Sequence, residues 1–467
     1  MTVNLLEKFT RSYTFKSILL AVLVLLLLIP LGMIRGLINE RRRTAQDAET
    51  EIMKAWGGNL IIAGPIVVIH GTRTEEIRTK TEKDGERVEI QKIPFSLAIT
   101  PKQLDVKAAF KTETRRRGIF SVPLFFGNIT LDGDFDTSMA ISSLSANENL
   151  DFTQAELVIS LSGQKGIRKI AQANWKDAPL FFLPGNQGYA LFSNYGASGI
   201  GKPVAVTEEF GGFGPGVYAI LPNFRNETAS FTVSIDIQGG QLARFLPVGQ
   251  DTHISIEADW DAPSFQGAFL PNISNITDKG FSAEWDVSYL SRDVPLFWKT
   301  SNGFLAGDYS ASLFGVNFFR SIDTYALNAR AVKYAILFLM VPFLTLFLLE
   351  IFTKKRIHPA PYLFCGVGNA IFYLLLLSLS EQTPFYIAYL LSAVVVTAMM
   401  TLYSRSLLPS WDKSWYMGLT VSLSYILLYA VLNAESYALL IGSVGSFAVV
   451  ALVMFLTRKL NWYGQEE

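Results

Sequence analysis

One cysteine and three histidines are all that 467 residues hold of the thiol and imidazole side chains that most often bind metals or act as nucleophiles. A lone Cys365 excludes an internal disulfide, so any large external domain has to be held by packing and hydrogen bonds. His70, His253 and His358 are far apart and form no HExxH pair, so no metal centre is expected, because such a site needs three or four converging donors. No GxSxG elbow occurs, and Cys365 lies in an apolar run unsuited to nucleophilic chemistry. Charge is scarce too. Only 17% of residues are charged and the formal net charge is zero. That balance gives no global field to gather nucleic acid, and neither nucleic acid nor a cofactor is expected as a partner.

Long apolar runs are what the chain does have. Ile18 to Ile34 carries no charge and follows Lys8, Arg11 and Lys16. No small-x-small cleavage pattern comes after it, so it reads as a retained anchor, not a removed signal. Five further runs, near 332–352, 361–380, 385–403, 415–432 and 437–456, each approach the twenty or so residues that hydrocarbon thickness requires. Lys354, Lys355, Arg356, Arg405, Lys413, Arg458 and Lys459 fall in alternate loops, while the intervening loops carry only Glu381 and Glu435. The positive-inside rule then puts both termini in the cytoplasm and the long segment between the first two spans in the periplasm.

That long segment has a period of two. Phe231, Val233, Ile235 and Ile237 alternate with polar neighbours, as do Ile254, Ile256, Ala258 and Trp260, and again Phe281, Ala283, Trp285, Val287 and Tyr289. Turn signals such as "LDGD", "PGNQG" and "GGFGPG" punctuate it. The last of these leads into the strand-like "VYAILPN", whereas a phosphate cradle opens a helix, so it reads as a turn. "NERRRTAQDAETEIMKAW" lacks Gly and Pro and is predicted to continue the first span as a helix. The expected fold class is therefore a mixed membrane protein. Six transmembrane α-helices, one N-terminal and five C-terminal, flank a large, mainly antiparallel β periplasmic domain. The boundaries run 1–36 for the N-terminus and first span, 37–57 for the helical extension, 58–327 for the β-domain, 328–460 for the bundle and 461–467 for the tail.

Several stretches taken together resemble one family: "GPIVVI", "ETRRRGIFSVPLF" at 113–125, "GFSAEWDVSYLSRDVP" at 280–295, "SLFGVNFFRSIDTYALNARAVKYAILF" at 312–338 and "FYLLLLSLSEQTPFYIAYLLSA" at 372–393. The chain is similar throughout to CreD, a family of bacterial inner-membrane proteins linked to cell-envelope integrity. It departs from that family's usual pattern at Pro361 and Gln382. The resemblance implies an envelope-associated role and brings no established reaction, ligand or catalytic site.

Candidate sites therefore come from the residues. Arg115, Arg116 and Arg117, beside a glycine, are a candidate anion or lipid-headgroup contact, weighed against an ordinary solvated strand end. Asp323, Tyr325, Arg330, Lys333 and Tyr334 open the second span and are a candidate coupling element between the external domain and the membrane, weighed against plain interface anchoring. Glu350 and Glu381 are the candidate intramembrane polar residues, since charge in hydrocarbon is costly. For Glu350 the nearest partner in sequence is Lys354, four residues on, and Glu381 is expected to be wet at a span boundary. Arg292 and Asp293 read as one more polar turn. Gly366 with Ala370, and Gly442 with Ser446, are small-residue steps suited to helix packing. The expected partners are membrane lipids and a periplasmic or envelope component. The function these features favour is a non-enzymatic envelope protein that binds or senses through its β-domain; the alternative is a transporter or channel for a small molecule or lipid.

Overall fold

Where apolar residues recur at every second position the chain is extended, and where they run on without a break it is helical. The structure, a computed structural model, describes residues 13–81, 85–185, 191, 215–225, 228–300, 309–318, 324–353, 356–407, 411–434 and 438–458. By its internal contacts the chain divides into two compact units. One is Ala48–Arg320, here the β-unit; the other joins Met1–Asp47 to Ser321–Glu467, here the helical unit.

The β-unit holds two sheets. In the first, β1 (Leu60–Thr81) pairs antiparallel with β2 (Gly85–Ile99) over Val67–Thr81 and with β5 (Glu148–Leu161) over Ile62–Arg73. Its opening residues, Leu60 to Ala63, pair in parallel with Ala243 to Leu246. In the second sheet, β3 (Gln103–Arg117) and β4 (Phe120–Asp136) form a hairpin. β4 pairs antiparallel with Thr228–Gly239, and β3 pairs in parallel with Asp251–Ala258. Most ladders are thus antiparallel, as expected, and the parallel pairings make the sheets mixed. Alternation named the buried faces correctly: Phe231, Val233, Ile235 and Ile237 are each no more than 2% exposed. Aromatics from both sheets meet in one core, where Phe265 and Phe314 of the first sheet lie 5.6 and 5.7 Å from Trp285 of the second.

Two turn readings are corrected. "LDGD", residues 131 to 134, lies inside β4, not between strands. Gly133 is there because the backbone carbonyl of Gln103 approaches so closely that a Cβ would collide with it. Arg292, read as part of a polar turn, is buried. Of "GGFGPG", residues 211 to 214 lie outside the described residues, as do the last three of "PGNQG".

The helical unit contains the apolar runs. α1 (Tyr13–Trp56) continues past its hydrophobic stretch, as "NERRRTAQDAETEIMKAW" predicts, so its last turns belong to the β-unit. α2 (Thr324–Thr353), α3 (Pro359–Ser380), α4 (Phe385–Leu407), α5 (Trp411–Asn433) and α6 (Ala438–Thr457) follow. Among the described residues five helices, α1 to α5, are long and apolar enough to cross a membrane. α1 packs into the unit along one stripe, Val24, Leu27, Leu31, Ile34 and Ile38, at helical spacing. Gly366 leaves the room that Leu27 fills, which gives that small-residue step a packing role.

Candidate functional site

A carboxylate inside an apolar helix must find partners or lose its charge. Glu350, near the end of α2, is 4% exposed. Its partner is Lys16 of α1, 334 residues earlier in the chain. The Lys16 ammonium contacts the Glu350 carboxylate and donates to the carbonyl of Ile357 at 2.6 Å. Tyr362 of α3 donates its hydroxyl to the same carboxylate oxygen at 2.8 Å and lays its ring 5.1 Å from the ammonium. Three segments therefore meet on one ion pair. Lys354, the partner nearest in sequence, lies outside the described residues.

Glu381 caps the other end of α3. Expected to be wet, it is only 13% exposed, because Tyr325 and Arg41 cover it. The Tyr325 hydroxyl donates to it at 3.2 Å, and Arg41 Nε lies 3.9 Å away. Beside it Asn328 donates to Ser380 at 2.9 Å, closing α2 onto α3. Of the candidate coupling residues, Asp323 lies outside the described residues and Tyr325 is joined to Glu381. Tyr334 is half-buried, and Arg330 and Lys333 are exposed.

Between these two ends runs a chain of polar contacts that sequence reasoning missed. Pro342, inside α2, has no N–H and so cannot donate to the carbonyl of Phe338 one turn before it. Asn369 of α3 takes that role, its side-chain amide donating to Phe338 O at 3.0 Å. Asn369 in turn accepts from the Tyr425 hydroxyl of α5 at 2.9 Å, and the carbonyl of Tyr425 accepts from Tyr389 of α4 at 2.6 Å. Four helices are joined by one relay that begins at a missing backbone donor. A proline within an apolar run was the available signal.

In the β-unit, Arg115 to Arg117 end the β3 side of the hairpin, where Gly118 takes the left-handed φ of +60° that the tight turn needs. Arg115 pairs with Glu113 at 3.1 Å and stacks 4.2 Å from the ring centre of Trp56. Arg168 approaches the same ring at 5.6 Å, and Arg117 pairs with Glu51. Two of the three arginines are thus engaged within the unit, and Arg116 is exposed. Arg292 is 8% exposed and, among the described residues, is held by backbone carbonyls: Val248 and Gly249 accept from it at 2.7 and 2.8 Å, and Val294 accepts as well. Burial lowers its pKa to about 10.

The histidines stand apart. His70 Nδ1 lies 2.8 Å from Ser96 Oγ and its Nε2 lies 3.8 Å from Glu156, an order of groups that resembles a hydroxyl–imidazole–carboxylate triad. Ser96, however, sits in mid-strand, paired on one edge with His70 and on the other with Thr300. Ladder amides so engaged offer no oxyanion donors to a tetrahedral intermediate. His253 hydrogen-bonds Asp286 at 2.7 Å in a shallow cleft of about 340 Å³ that Asp105 and Asp251 also line. Among the described residues no group of three or more His, Cys, Asp or Glu is placed to hold a metal.

The family model described as "Inner membrane protein CreD" matches residues 12–463. The inner membrane protein CreD of Escherichia coli (strain K12) is 31% identical over 444 residues, covering 94% of this chain and 91% of that protein. The match takes in both units, from the helix that carries Lys16 to the last helix, and on that span the chain belongs to the CreD family of inner membrane proteins.

Proposed function

We propose that this inner membrane protein contributes to cell-envelope integrity through a periplasmic β-unit that binds or senses an envelope component, without catalysing a reaction. The observation that carries this reading is the way the chain is divided. A self-contained β-unit, with its own two-sheet core, is inserted between two parts of one helical unit. A domain needed only as a passive appendage could hang from a single anchor, whereas this one has both ends returned to the same bundle. On this reading α6 is the sixth span, both termini are cytoplasmic, and the helices of the unit relay what the β-unit encounters. Membrane lipids are the immediate partners.

Reporter fusions test the placement. Fusions after Lys355, after Trp411 and at Glu467 are expected to report cytoplasm, and one near residue 200 periplasm; a periplasmic signal at the C-terminus overturns the six-span arrangement. Deletion of the gene is expected to increase sensitivity to envelope-active agents, with full-length chain restoring resistance and a chain lacking 58–320 failing to do so. The alternative, transport of a small molecule or lipid, is favoured by one observation: the polar relay through Asn369, Tyr425 and Tyr389 lies inside the helical unit. Uptake or efflux that depends on these side chains would support it.

A further inference from the structure

One indole in the β-unit carries two guanidiniums. The Trp56 ring is set by its Nε1, which donates to the carbonyl of Phe125 at 3.4 Å. Arg115 of β3 lies 4.2 Å from the ring centre, and Arg168 of the strand Ile167–Trp175 lies 5.6 Å from it. The two guanidinium carbons are therefore no further apart than those distances laid end to end. Each is also held at its Nε. Arg115 donates there to Glu113 at 3.1 Å and Arg168 to Gln238 at 2.7 Å, while Arg168 lies 5.5 Å from the ring of Phe126 as well. A ring beneath the guanidinium and a bond at Nε fix its plane and leave the two Nη groups as a fork.

This is the outer face of the second sheet. Phe110 and Phe125 turn into the core, so the alternate positions, Lys111, Glu113, Arg115 and Arg117 on β3 with Phe126 on β4, turn outward. Phe126 stands opposite both Lys111 and Gln238 in the ladders, which brings Lys111 beside the Arg168 contact. Lys111, Arg115, Arg117 and Arg168 are all exposed, and among the described residues the carboxylates paired with these cations are Glu113 and Glu51. Asp236, one row along, is taken by Asn128. Four cations against two carboxylates leave a positive excess around one ordered ring. The kind of anion that answers it follows from the acceptors each can offer. A carboxylate has two oxygens and is filled by one fork, whereas a phosphate accepts from two forks at once through charge-assisted bonds of about 2.8 Å.

We infer that Trp56, Arg115 and Arg168 form a binding site for a phosphate group, with Lys111 adding charge at its edge. The inference rests on the reading of the β-unit as a binding unit and names the chemistry it recognises. Two probes separate the sources of that phosphate. Inorganic pyrophosphate is titrated calorimetrically into the full-length protein in phosphatidylcholine nanodiscs, and the same protein is floated with phosphatidylcholine vesicles that contain or lack phosphatidic acid. Saturable binding of pyrophosphate identifies a soluble phosphate; capture by the phosphatidic acid vesicles alone identifies a lipid headgroup. Either supports the site when it depends on the fork. Arg168→Lys, which keeps the charge and loses the fork, is expected to weaken binding about ten-fold, as is Trp56→Leu, which keeps every charge and loses the platform. Lys102→Gln, which removes an exposed charge just before β3, at the opposite end from the hairpin, should leave binding unchanged. Binding of neither probe, binding that Arg168→Lys leaves intact, or binding that Lys102→Gln weakens equally overturns the site. If Trp56→Leu fails to accumulate, Arg168→Lys and Arg115→Lys decide the question. Binding is read on the purified protein, so its failure leaves the deletion test of the β-unit standing, and an absent deletion phenotype leaves the binding result standing.

Discussion

The β-unit and the helical unit each bury a charge, and they neutralise it differently. Among the described residues Arg292 in the β-unit has no acidic partner; its guanidinium is held by three backbone carbonyls that lie close to it in the folded chain. Glu350 in the helical unit is matched by a full opposite charge brought from the far end of the sequence. In a sheet sandwich, loops at the rim leave carbonyls free to bond a cation. Helices consume their carbonyls internally, so a charge buried among them must be met by another side chain. The consequence is that charge fixes a loop in one unit and fixes which helices associate in the other.

Breaking the ion pair should have the largest effect. Glu350→Ala leaves the Lys16 ammonium buried without its counter-charge, and a loss of about 3–5 kcal/mol is expected in the unfolding of the helical unit. Lys16→Met with Glu350→Leu, which removes both charges, should recover most of it. Thermal unfolding of the full chain in detergent distinguishes the two. Arg292→Met comes next: it orphans the carbonyls of Val248, Gly249 and Val294 and should cost the β-unit about 3 kcal/mol, read in its denaturant midpoint. Arg292→Lys, able to satisfy fewer of them, should fall between.

A smaller effect sharpens the contrast within the membrane helices. Asn369→Ala should cost about 1 kcal/mol, the scale of interhelical hydrogen bonds in lipid. In a Pro342→Ala background the Phe338 carbonyl regains its own helical donor, so there Asn369→Ala should cost less. Equal cost in both backgrounds would mean that Asn369 does not substitute for the missing proline N–H.

The smallest effect is one of pH and belongs to the β-unit. The Glu156 carboxylate beside it raises the pKa of His70 above its ordinary 6.5, against the opposing effect of partial burial. A group whose pKa is raised by folding stabilises the fold below its ordinary value and loses that contribution as pH climbs through the folded value. Asp136 and Asp151 are shifted the other way, below the ordinary 3.8, by hydrogen bonds from Ser138 and Thr153, so their contribution is lost in acid. Stability of the β-unit should therefore be greatest between about pH 5 and 6.5 and decline gently above it. His70→Gln should flatten the decline between pH 6 and 8 without moving the acid limb.

The sequence made some of this legible and hid the rest for definable reasons. Period-two alternation identifies the buried face of a strand such as Thr228–Gly239, but it does not name the neighbour. The parallel pairing of Leu60–Ala63 with Ala243–Leu246 is accordingly invisible without the fold. "LDGD" misleads because a glycine that admits a close backbone and a glycine that turns the chain look alike in sequence. Glu350 and Glu381 stood out as ionisable groups in or beside apolar runs. Their partners did not. Lys16 looks like the positive flank of any first span, Arg41 like an ordinary basic stretch after one, and a lysine four residues from Glu350 offered a sufficient local explanation.

One buried ion pair joins the first helix to the bundle, and a charge-reversal cycle decides whether it does. Lys16→Glu and Glu350→Lys, singly and together, would be compared by thermal unfolding of the full-length protein. Each single variant is expected to be severely destabilised by two like charges in contact, and the double variant to recover by about 2 kcal/mol or more relative to the sum of the singles. A double variant whose loss equals that sum, with no coupling between the positions, would contradict it.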